Sequence, residues 1–371
     1  MRMGILCIGM LVMGGCSRND LGDAAPDAAV DQADDGREEP PPVDLLLVEH
    51  TVYWAQELQL VASARVATDL VTPLVTSGVD VRVGVLSADL GSAGTVFPDD
   101  ERICGGPCDR EDGSTSSDLG RLLTHPTCWR VDPTVGLDLG VCASVVTPDG
   151  SVPPYLAGSD PRLGDWLACL LIRGDGCPIP QPLESLALAQ ESGTNPGFLR
   201  DGSVLVVVVV ADGDDCSIAD PRVFAEDGPI VPVGFRSQCA YWTDHVHPVS
   251  RYTESLLRVR PVDRLVVAAF AGVPQDYPWC DPAHPDPDCG DCVAERPYLC
   301  YVGCASPPGR IVSAAPRLRD FARSFGTTAD GSPVGFSFGS CTLLPGAVDP
   351  TPEEAWAAVR EAVLDRVGLA P

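Results

Sequence analysis

At Ser203–Ser217, S-V-L-V-V-V-V-V-A-D-G-D-D-C-S, eight uninterrupted apolar residues run straight into three carboxylates. Val and Leu without alternation require a strand covered on both faces, the habit of parallel strands held between helices. The run is far too short to span a bilayer. Ligands of open α/β sheets gather beyond the carboxyl ends of the strands, so Asp212, Asp214 and Asp215 stand where a site belongs. The same side chains also suit the end of a strand and the capping of the next segment.

The flanking segments supply the rest of such a sheet. Val43–Val48 is an apolar run suited to a first buried strand. Leu60, Ala64, Ala67, Val71 and Leu74 then form one helical face, with Gly78 at the C-terminal cap position. Val79–Leu86 alternates, which predicts a strand nearer the edge with one face more exposed. Helices are predicted over Pro161–Leu171, Pro182–Ala189 and Ser250–Val259, and a buried strand over Leu265–Phe270. Leu318, Phe321, Ala322 and Phe325 give helical spacing ended by Gly326, and Val334–Phe338 is strand-like. Thr351 as N-cap, Pro352 in the first turn and Glu354 completing a capping box open a last helix, whose stripe is Trp356, Val359, Val363 and Val367. Strands alternating with helices predict an α/β domain over residues 43–371, with a doubly wound, mostly parallel sheet. Two cysteine-bearing stretches without periodicity, at about 91–160 and 274–312, are expected to be disulfide-rich insertions.

The amino terminus reads differently. Arg2, an apolar run and Met13-Gly14-Gly15-Cys16 make residues 1–15 an expected lipoprotein signal peptide, with Cys16 as the lipidated residue. Residues 17–42 hold eight acids and two arginines and almost no aliphatic side chains. They cannot bury enough surface to fold, so residues 16–42 are expected to be an acidic disordered tether. With the leader at +1 and the tether at −6 of a total of −27, residues 43–371 carry −22. That charge argues against a nucleic-acid partner. Fourteen cysteines remain after Cys7 and Cys16, an even number in an exported chain, so disulfides are the default. Cys169–Cys177 is the expected local bridge, followed by Cys216–Cys239 and Cys304–Cys341.

The blocks L-A-C-L-L-I-R-G-D-G-C-P-I-P-Q-P-L-E-S, N-P-G-F-L-R and V-V-V-V-V-A-D-G-D-D-C-S, with the later L-V-V-A-A-F-A-G and A-A-P-R-L-R-D-F-A-R-S-F-G, resemble the von Willebrand factor type A domains of bacterial surface lipoproteins. The resemblance spans most of residues 43–342 apart from the insertions, and implies a Rossmann-like doubly wound fold. It also implies a metal-ion-dependent adhesion site: Asp-x-Ser-x-Ser after the first strand, a Thr from a later loop, and an Asp after the central strand. Here the first loop reads His50-Thr51-Val52-Tyr53-Trp54, which lacks all three oxygen ligands. The second region has Ala88 between Ser87 and Asp89, and Asp212 alone matches the pattern. The expectation is therefore a binding surface around Asp212, Asp214, Asp215, Ser87 and Asp89, with no cofactor. Asp212, the single metal-ligand match, is expected chiefly to hydrogen-bond neighbouring backbone.

Other motifs point elsewhere. Gly335-Phe336-Ser337-Phe338-Gly339 fits the nucleophile elbow of α/β-hydrolases, but no histidine comes after it and no helix pattern begins at the serine; Ser337 is expected to be a strand residue. Cys289, Cys292, Cys300 and Cys304 have spacing that zinc sites share, and an oxidising compartment favours their pairing instead. Asp244-His245-Val246-His247 reads as a surface loop. The expected function is that of a membrane-anchored, non-catalytic binding or adhesion lipoprotein of the bacterial cell envelope, in the outer membrane, with a protein or cell-surface ligand. The alternatives are an exported hydrolase and a structural envelope component.

Overall fold

The computed structural model describes residues 39–50, 56–88, 90, 119–123, 153–171, 179–220, 244–272, 302–306, 310–313, 315–339, 343 and 350–369, with backbone alone for 56–60, 302–306 and 310–313. The expected signal peptide, Cys16 and nearly all of the tether lie outside these residues, as do Asp89 and most of the two insertions. Six strands make one mixed, mostly parallel sheet with helices, an α/β fold. They are β1 (Val43–Glu49), β2 (Val81–Ser87), β3 (Leu156–Ala157), β4 (Val204–Val210), β5 (Leu265–Ala271) and β8 (Gly335–Gly339), in the order β3-β2-β1-β4-β5-β8. β3 alone runs antiparallel. β6 (Val302–Ser306) and β7 (Arg310–Ser313) form a separate antiparallel pair.

The Val/Leu run is the centre of this sheet. β4 pairs with β1 and β5, and every one of its residues is buried. Odd-numbered residues of β1 and even-numbered residues of β4 share one core with α3 (Leu163–Leu171) and α7 (Pro352–Arg366), where Trp356 stacks on Phe270 at 4.5 Å. The opposite parity shares a second core with α4 (Pro182–Ala189), α5 (Val249–Val259) and α6 (Pro316–Arg323). The amphipathic stripes therefore seat helices against both faces, which is why the strands are apolar on both. Among the described residues no helix is long and apolar enough to cross a membrane.

Three expectations change. β2 does lie toward the edge of the sheet, between β1 and the two-residue β3, but neither face is open: only Arg82 is partly exposed. Its alternation comes from Arg82, whose guanidinium lies over Tyr155 and donates to Gly197 O at 2.8 Å, and from Gly84. A Cβ on Gly84 would stand 2.6 Å from Leu122 Cδ2 and 3.0 Å from Phe198, so that position is filled by neighbours and not by solvent. β3 and Leu122–Leu123 fall within the segment expected to be an irregular insertion; Leu123 N donates to Val85 O and Asn195 ties Leu122 and Gly120 to α4. Thirdly, the helix after β1 is not uniform. α1 (Gln56–Arg65) passes into a π-helical stretch, Val66–Val71, before α2 (Thr72–Thr76). Pro73 has no N–H to give Asp69, and the ladder widens just ahead of it, with Thr72 N reaching Ala67 O.

Asp44 organises the amino end of the sheet. Its buried carboxylate accepts from Arg200 N and Nε, both at 2.7 Å, and from Ser203 Oγ at 2.6 Å. Arg260, from the end of α5, donates to Ser203 Oγ and to the Ser203 and Arg200 carbonyls.

Candidate functional site

From β1 the chain moves outward through β2 on one side, and from β4 through β5 and β8 on the other. The carboxyl ends of β1 and β4 are therefore the topological switch point, the place where open α/β sheets hold ligands. Hydrogen bonding runs one residue past each strand: His50 N donates to Val210 O at 3.1 Å and Ala211 N to Phe270 O at 2.9 Å. This brings His50 and Asp212 face to face. His50 Nδ1 lies 2.5 Å from Asp212 Oδ1, the side chains being 1% and 11% exposed. The imidazole, read from sequence only as a lost oxygen ligand, thus lies against the Asp212 carboxylate.

Asp214 and Asp215 do different work. α4 and α6 both start at a proline with no side-chain cap of their own, so their first N–H groups need acceptors from elsewhere. Asp214 Oδ1 accepts from Arg317 N at 3.0 Å and Leu318 N at 3.2 Å, capping α6. Asp215 Oδ1 accepts from Leu183 N at 3.1 Å and Ser217 Oγ accepts from Glu184 N at 2.9 Å, capping α4. Negative charge at two helix N-termini is favourable. Arg317 adds a guanidinium that donates to Asp215 Oδ2 at 2.9 Å, to Asp215 O at 2.9 Å and to His247 O at 2.7 Å.

The result is a tightly cross-linked loop layer. Cys216 N donates to Pro180 O, Gln181 N to Ala88 O, Ile218 N to Gln181 Oε1 and His247 N to Ser217 O. Glu184 accepts from Tyr252 Oη at 2.9 Å and pairs with Arg251 at 2.7 Å. Burial, reinforced by the neighbouring charge of Asp215, pushes the Asp214 carboxyl up to about 7 against the pull of Arg317. Burial draws the Arg317 guanidinium down, but Asp215 and Asp214 outweigh it and leave its pKa raised. Burial and the nearby Arg251 charge lower that of His247.

Of the residues expected to bind a partner, Ser87, Asp214 and Asp215 are fully buried, whereas Asp212 reaches the surface; Asp89 lies outside the described residues. Ser87 ends β2 opposite Glu49, itself buried. The interlocking roles of Arg317, Ser217, Gln181 and His50 escaped sequence reasoning. The available signal was two proline-started helices without local caps beside a surplus of acceptors after β4. Cys169 and Cys216 are both disulfide-bonded; Cys177, Cys239 and Cys341 lie outside the described residues, as does the side chain of Cys304. Ser337 is a strand residue in β8. The zinc-like cysteine cluster is likewise outside them, save the backbone of Cys304 in β6.

No protein-family model matches the chain, and no curated protein matches it.

Proposed function

We propose that the protein is a lipid-anchored, non-catalytic binding lipoprotein of the bacterial envelope, attached through Cys16 to the outer membrane by the acidic tether. Its domain is a doubly wound, von Willebrand A-like unit. The strand order β3-β2-β1-β4-β5-β8 with an antiparallel edge, and helices against both faces, support that reading. The partner, a protein or cell-surface ligand, meets the carboxyl end of the sheet.

The observation that carries the proposal is the locking of that end by Asp214, Asp215, Ser217 and Arg317. A platform whose loops are fixed before binding loses little freedom when a partner docks. The same locking argues against a resident metal. A divalent ion needs about six oxygen ligands. Here two of the three carboxylates are committed to helix N-termini, and a guanidinium stands 2.9 Å from one of them. Binding is accordingly metal-independent. The test is capture from envelope extracts by the immobilised protein: saturable capture that survives EDTA and is lost when Arg317 is replaced by Met supports the proposal, and capture abolished by EDTA contradicts it.

The Asp212–His50 pair favours a second reading, an exported hydrolase, because a carboxylate at Nδ1 orients an imidazole for general-base work. Against it, His50 is 2% exposed. Fluorophosphonate labelling lost in His50→Ala would favour this reading over the first.

A further inference from the structure

Oxygen ligands stand about 2.0–2.6 Å from magnesium or calcium. The Nδ1 atom of His50 stands 2.5 Å from Asp212 Oδ1, inside that same span, so an ion approaching this oxygen from the His50 side would overlap the imidazole. The backbone of His50 is fixed by its N–H to Val210 O at 3.1 Å, an extension of the β1–β4 pairing, and the residue is buried at 2% exposure. Neighbouring carboxylates do not compensate. Asp214 accepts from Arg317 N and Leu318 N, and Asp215 accepts from Leu183 N, Ser217 Oγ and the Arg317 guanidinium.

We propose that His50 is the residue that keeps divalent cations off Asp212, its Nδ1–H standing in for the metal as the group that satisfies this carboxylate. The inference rests on the metal-independent reading above and names the side chain responsible for it. The switch point is then one substitution from a cation site. His50→Asp removes the competing donor and puts a second hard-oxygen ligand opposite Asp212.

The experiment uses manganese as the probe, with electron paramagnetic resonance reporting free ion against intact wild-type protein, Asp212→Asn, His50→Asp, and His50→Asp/Asp212→Asn. The expected result is at least about tenfold tighter manganese binding in His50→Asp than in wild type, returned to the wild-type level in the double variant. Circular dichroism and thermal melting establish that each variant is folded. If wild type binds manganese as tightly as His50→Asp, and Asp212→Asn abolishes that binding, both the inference and the metal-independent reading fall. If wild type and folded His50→Asp both bind nothing, the inference alone falls. A measurement on wild type covers the case in which His50→Asp does not fold. Long-range 1H–15N spectra should show a protonated His50 Nδ1 whose resonance moves in Asp212→Asn and is unmoved by millimolar magnesium; displacement by magnesium overturns the inference.

Discussion

Asp44 and Asp214 are both fully buried carboxylates with different partners, and each can be tested alone. Asp44 is fully buried and meets a guanidinium, a backbone N–H and a hydroxyl at 2.6–2.7 Å. Removing one partner of such a pair leaves an uncompensated charge, so Asp44→Ala is expected to lower the unfolding free energy by roughly 3–5 kcal/mol, read by urea denaturation. Asp214 is raised to about 7 from 3.8 by burial and by Asp215. Between these values the native state holds a proton that the unfolded chain has lost. Stability from this group is complete at low pH and is lost as pH rises through about 7, at up to roughly 1.4 kcal/mol per pH unit. Asp214→Asn keeps an acceptor for Arg317 N and Leu318 N but cannot ionise. It is expected to flatten the fall in melting temperature between the unfolded and native values, 3.8 and about 7; an unchanged slope would contradict the assignment.

At the level of elements, β8 and α6 are joined by a contact that only glycine permits. A Cβ at Gly335 would lie 1.7 Å from the Ala322 carbonyl oxygen, an overlap that side-chain rotation cannot relieve. Gly335→Ala is expected to cost about 1–3 kcal/mol, the usual range for overpacking, and Gly164→Ala in α3, where an added Cβ would meet only Ala67 Cβ at 3.8 Å, less; equal losses would sink this view of the β8 packing. Sequence periodicity located β1, β4, β5, α3, α4, α5 and α7, because their apolar residues follow the period of the element and the core covers them. The capping box at Thr351 and Glu354 is present, since it is wholly local. Features set at a distance were beyond the reach of periodicity. β2 looked half-exposed because Gly84 carries no side chain and Arg82 reaches over Tyr155. β3 is two residues long and has no period to read. The candidate site was legible as a place, the end of β4. The partition of its three carboxylates was not, since Asp212 meets β1 while Asp214 and Asp215 cap helices 103 and 32 residues away.

For the whole molecule, net charge and the proposed tether would set the terms of the proposed binding. Residues 43–371 carry −22, so a partner of like charge is repelled at low salt and one with basic surface is drawn in. Attachment through Cys16 would hold the domain off the membrane by the length of the tether. Cys16→Ala is expected to leave the precursor uncleaved or to release the domain as soluble protein, and unchanged membrane retention on fractionation would contradict the anchor. The central claim is that the carboxyl end of the sheet is a preformed, metal-free binding platform, in which the His50 imidazole lies against Asp212 and helix N-termini occupy Asp214 and Asp215. Isothermal titration of the intact protein with magnesium, manganese and calcium tests it most directly. The expected result is no binding heat that depends on Asp212; micromolar binding of any of the three ions, abolished by Asp212→Ala, would contradict it.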